Sequence, residues 1–134
     1  LNFKPEQLFN LVSDINKYPD FLPWCLGSRV KKISNEQLNA DLIVGVRFYR
    51  EVFKSKVFLN KKDFLINVDY LEGPFNFLKN KWIFKKVKGG CEIDFYVEFQ
   101  LNSYLLNSVL KSLFEEAIIK MVSAFEERAN FLYK

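Results

Sequence analysis

No histidine occurs among the 134 residues. That removes the commonest general base and metal ligand, and with them every Ser-His or Cys-His arrangement. Carboxylate, lysine and tyrosine chemistry remain open. Glu92, Asp94 and Glu98 alternate with Ile93, Phe95, Val97 and Phe99. On a strand they share the wet face, and Asp94 and Glu98, four positions apart at about 3.3 Å each, cannot form an adjacent acid pair. Cys25 and Cys91 lack metal-motif spacing and are too few for a disulfide framework. They read as free thiols in a reducing, cytoplasmic setting. No constellation of these residues points to catalysis, so no enzyme is expected.

Two polar side chains stand among apolar neighbours. Ser55 shares a strand face with Phe53, Val57 and Leu59. It either bonds to backbone or water, or meets a ligand at an inner wall. Arg128 falls on the apolar arc of the last helical segment, at the same angle as Leu110. It requires an ion-pair partner or a path to water, unless it donates to the polar head of a bound molecule.

The net charge is +4, and it is uneven. Residues 51–90 carry nine lysines against four acids, whereas residues 91–134 carry four basic residues against seven acids. Lys54 and Lys56 share one strand face, and Lys81 and Lys85 share another. They predict a basic docking face for anionic lipid or RNA phosphate, or else solvated strand surfaces. No phosphate-loop or RNA-recognition motif accompanies them, and no DNA partner is expected.

The elements that position these residues follow from periodicity. Pro5 and Glu6 open a helix carrying Leu8, Leu11, Val12 and Ile15, which should stop before Pro19. From Arg29 to Leu101 the period is two, as in antiparallel strands with one wet face. Asn60-Lys61-Lys62-Asp63 and Lys88-Gly89-Gly90 read as hairpin turns. Residues 104–132 predict one long helix with Leu106, Leu110, Leu113, Phe114, Ala117, Met121, Ala124, Phe125 and Leu132 on one arc. Only the sheet offers that arc a large apolar surface. The fold class is therefore α+β: a curved antiparallel sheet wrapped around a long C-terminal helix, in a single domain over 1–134. No apolar run reaches the roughly 18–20 residues of a membrane span, and no signal peptide is apparent.

Aromatics make up 17% of the chain, and 15 of them are Phe. That is bulky core, or walls around a space. The stretch "YPDFLPWC" (Tyr18–Cys25) concentrates three aromatics, a Leu and two prolines. The prolines restrict it to a short helical turn or a bent loop.

Three blocks, "LFNLVSDINKYPDFLPWC", "GPFNFLKNKWIF" and "MVSAFEERANFLY", resemble the START-like, helix-grip superfamily, also called polyketide cyclase/dehydrase-like. Within it the chain is similar to the branch joining coenzyme Q-binding proteins and bacterial ribosome-association toxins. The resemblance implies a hydrophobic small-molecule ligand, ubiquinone or another isoprenoid lipid, held between sheet and long helix in support of respiration. The basic face would hold the protein near anionic lipid, peripheral to the inner membrane, and neither a catalytic cofactor nor a metal is expected. The alternative that the resemblance carries is a toxin that blocks joining of ribosomal subunits through the basic face. Tyr18, Phe21, Leu22 and Trp24 would line the cavity mouth, or plug the sheet end as core. Ser55, Trp82, Phe84, Phe95, Phe99, Leu110, Met121 and Arg128 would line the wall or hold the head group. Members usually have one more strand ahead of the first helix, where this chain has only Leu1 to Lys4; a sheet shortened at that edge is expected.

Overall fold

The computed structural model describes residues 2–46, 49–73, 75–101 and 104–133; the side chains of Val46, Tyr49 and residues 101–110 lie outside that description. Helix α1 (Pro5–Ser13) begins with Pro5 in its first turn, and the Gln7 side chain accepts from the Lys4 backbone N–H at 3.0 Å. Pro5, Leu8, Phe9, Leu11 and Val12 form its buried stripe. The helix ends earlier than Pro19 requires. The chain tightens at Asp14 into a 3-10 turn over Ile15–Asp20 that contains Pro19.

Six strands follow: β1 (Cys25–Lys32), β2 (Gln37–Val46), β3 (Tyr49–Asn60), β4 (Leu65–Glu72), β5 (Phe75–Val87) and β6 (Gly90–Leu101). Each pairs antiparallel with its neighbour in sequence, giving one sheet in the order β1 to β6. The first strand starts at Cys25 rather than Arg29. A bulge between Cys25 and Gly27 breaks the alternation there, which hides the strand from a period-two reading. The β5–β6 turn uses Gly89 at φ +83°, a backbone region that glycine adopts without steric cost.

Helix α2 (Tyr104–Tyr133) runs 30 residues, about 45 Å. The core splits in two along it. A large cluster joins α1 and the sheet to Phe125 and Ala129 of α2, and a small one gathers Phe75, Phe99 and Leu113 around Phe114. Leu132, placed on the core arc by helical angle, is 45% exposed. The arc is drawn as though the sheet lined the whole helix, but near its end α2 meets α1 instead, where the Tyr133 hydroxyl donates to the Gln7 carbonyl at 3.1 Å.

Candidate functional site: an apolar cavity between sheet and helix

Between the two core clusters lies a cavity of about 170 Å³. Five strands supply its wall through their inward positions: Ala40 and Leu42 of β2, Ser55 and Val57 of β3, Ile66 of β4, Trp82 of β5, Phe95 of β6. Phe114, Ala117, Met121 and Phe125 of α2 close it. The volume is below the several hundred Å³ usual for ligand sites, because large rings fill much of the space. Trp82 lies 4.5 Å from Phe95 and 5.5 Å from Phe125, centroid to centroid.

The predicted site residues separate into groups. Tyr18, Trp24, Ser55, Trp82, Phe95, Phe99 and Met121 all line the cavity. Ser55 is buried, and its hydroxyl donates to the Ala40 carbonyl at 3.4 Å. The Leu110 side chain lies outside the described residues. Leu22, Phe84, Phe21 and Arg128 are not in the wall. Leu22 and Phe84 are 2% exposed core residues, Phe84 packing edge-on against Phe9 at 6.0 Å. Phe21 packs edge-on against Tyr18 at 6.0 Å and Phe125 at 5.2 Å. Arg128 reaches over Phe21 at 5.3 Å and Phe131 at 5.0 Å, and its Nε is buried without a hydrogen-bond partner. Cation–π contact takes the place of the ion pair.

Tyr18 anchors the "YPDFLPWC" stretch. Its hydroxyl donates to the Val12 carbonyl, and burial pushes its phenol well above the ordinary value. Burial likewise raises the Cys25 thiol to about 11, so it is protonated at neutral pH and poorly nucleophilic.

The sequence reading left out several apolar wall residues, such as Ile66, Phe75 and Phe114, and one polar one, Asn80. It stands on the inward face of β5 between Leu78 and Trp82, and all three line the cavity. The Trp82 indole N–H donates to its Oδ1 at 3.0 Å, and its Nδ2 donates to the Tyr96 carbonyl at 2.9 Å. The available signal was a polar residue in the inward register of Leu78, Trp82 and Phe84.

The four predicted docking lysines lie on the outer face, but that face is not uniformly basic. Lys54 stands between Asp41 and Glu72, Lys56 opposite Asp69, and Lys85 opposite Glu92. Lys85 also pairs with Asp94 at 2.7 Å. Lys81 faces Asn67 and Tyr96. Further lysines lie at the strand ends with no acid opposite them in the register, Lys61 and Lys62 in the β3–β4 turn and Lys86 and Lys88 at the β5–β6 turn.

A single antiparallel sheet gripping one long helix around an apolar space defines a helix-grip, ligand-holding class of domain. Residues 1–126 match the family described as polyketide cyclase/dehydrase and lipid transport, and the chain belongs to that family. It is 36% identical over its whole length to the ribosome association toxin RatA of Rickettsia prowazekii, covering 94% of that protein. It is 31% identical over 99% of its length to the mitochondrial coenzyme Q-binding protein COQ10 homolog B of Xenopus laevis, covering 56% of it. Among solved structures, the ZhuI aromatase/cyclase of Streptomyces sp. R1128 superposes with a TM-score of 0.87 at 13% identity, over 97% of this chain and 88% of that one. At that identity the likeness is one of fold. Among the described residues no helix is long and apolar enough to cross a membrane.

Proposed function

We propose that the chain is a non-enzymatic binding protein for a hydrophobic small molecule, ubiquinone or a related isoprenoid lipid. It acts in the cytoplasm, peripheral to the inner membrane, in support of respiration. The observation that carries this reading is the apolar space between the two core clusters, closed by α2. Removing ligand surface from water there contributes about 25 cal/mol per Å². The cavity's polar groups do not form catalytic machinery. Ser55 bonds to a carbonyl rather than a base, and the Tyr18 hydroxyl is held by Val12. Mass spectrometry of lipids co-purifying with native protein tests the reading: a stoichiometric quinone or isoprenoid is expected, and protein free of lipid that takes up no added quinone overturns it.

A second reading is favoured by one observation, the 36% identity to a protein named ribosome association toxin. In it the lysines of the turns dock the chain on a ribosomal subunit. Sucrose gradients of ribosomes with added protein discriminate the two. Separated subunits at the expense of joined ribosomes support docking, and an unchanged profile excludes it.

A further inference from the structure

Asn80 is held by two partners that each work in one direction only. An indole N–H can only donate, so it must meet the amide oxygen; a backbone carbonyl can only accept, so it must meet the amide nitrogen. Trp82 and Tyr96 therefore fix which way the amide faces. One N–H and one oxygen lone pair remain beyond those bonds. The surrounding wall is otherwise almost wholly apolar, so an N–H offered there favours a ligand bearing an acceptor.

The volume adds a second constraint. A dry apolar cavity of about 150 Å³ is enough for one benzene ring, and this one encloses about 170 Å³. A substituted ring fits; a long chain beside it does not. A third feature gives such a chain a way out. A surface groove of about 180 Å³ is lined by Pro23, Trp24, Gly45, Leu113 and Ala117, with the Glu116–Lys120 ion pair along it, and it shares Trp24 and Ala117 with the cavity wall.

We infer that the cavity takes a carbonyl-bearing ring head first, onto the remaining N–H of Asn80, and that a chain attached to the ring leaves between Trp24 and Ala117 along the groove. The inference rests on the ligand-binding reading. Asn80 is thereby a specificity residue for the head group.

The test uses three probes measured by titration calorimetry: 2,3-dimethoxy-5-methyl-1,4-benzoquinone, the same ring with a decyl chain, and decylbenzene. Asn80→Leu and Asn80→Ala change volume in opposite directions, so an effect common to both belongs to the amide. Each variant is expected to weaken both quinones about tenfold and decylbenzene by less than about twofold, the mark of one lost hydrogen bond. Leu113→Ser, in the groove but not in the cavity wall, should weaken the decyl quinone alone. Thermal unfolding of each variant identifies any that fails to fold. Equal losses for all three probes, or no loss in either Asn80 variant, overturn the anchor. Equal losses for ring and decyl quinone in Leu113→Ser overturn the exit path. Wild-type protein that binds none of the probes sinks the ligand-binding reading itself, and this inference with it.

Discussion

Tyr18 and Phe125 meet edge to face with ring centroids 5.4 Å apart. Through that contact the "YPDFLPWC" stretch is pinned to α2, while the Tyr18 hydroxyl pins it to α1 at Val12. Phe125 also touches Phe21 and Trp82, so one ring ties the turn, the sheet and the helix together. Phe125→Ala is expected to cost about 3–5 kcal/mol, as for a large core aromatic. Denaturant unfolding measures it; a loss below about 1 kcal/mol would show that the turn is held elsewhere.

Leu22 and Phe21 separate in the same experiment. Leu22 is fully buried away from the cavity, so Leu22→Ala should cost about 2–5 kcal/mol and leave quinone affinity per folded molecule unchanged. Phe21 is half-buried under Arg128, and Phe21→Leu, which keeps apolar volume, should cost less than about 1.5 kcal/mol. A Leu22 variant of native stability contradicts the buried placement.

Alkaline pH should destabilise the fold. The Tyr18 phenol is raised by burial from its ordinary 10.0, and the Cys25 thiol from 9.0 to about 11. Below about pH 8 both groups keep their protons in folded and unfolded chains alike, and neither affects stability. As pH rises through 9 and 10 the unfolded chain releases protons that the folded chain retains, so stability falls. Melting temperatures from pH 8 to 11 should decline, and the decline should be shallower in Tyr18→Phe than in wild type. Parallel curves for the two proteins would mean that Tyr18 does not carry the effect.

Charge changes on the sheet face and at the turns should differ. Lys54→Gln with Lys56→Gln removes cations that already face acids, at about 0.2–1 kcal/mol per cross-strand pair, and should leave retention on heparin nearly unchanged. Lys61→Gln, Lys62→Gln, Lys86→Gln and Lys88→Gln together should lower the eluting salt concentration clearly, because those positions have no acid opposite them in the register. The reverse ranking would return the docking surface to the sheet.

Much of this architecture was legible in the sequence because it is local. Alternation marked β2 to β6, Pro5 opened α1, Gly89 marked a turn, and the helical period over 104–132 required a sheet to cover it. Parity put Ser55 with Phe53 and Val57, and Phe95 with Phe99, on shared faces, since side chains two apart on a strand share a face; the family resemblance made Trp82, Phe95 and Phe99 a cavity wall. Tertiary structure decided what parity cannot carry. A bulge at Cys25–Gly27 shifted the first strand, and α1 took the end of the helix that the angular arc gave to the sheet. Register between strands set Lys54, Lys56 and Lys85 against acids, although composition showed only an excess of charge. Asn80 was readable as inward, but only the folded chain brings the Trp82 indole and the Tyr96 carbonyl to its two ends. The size of the cavity was beyond the sequence too, because it is the space left over when rings from β5, β6 and α2 pack together, and no single segment determines it.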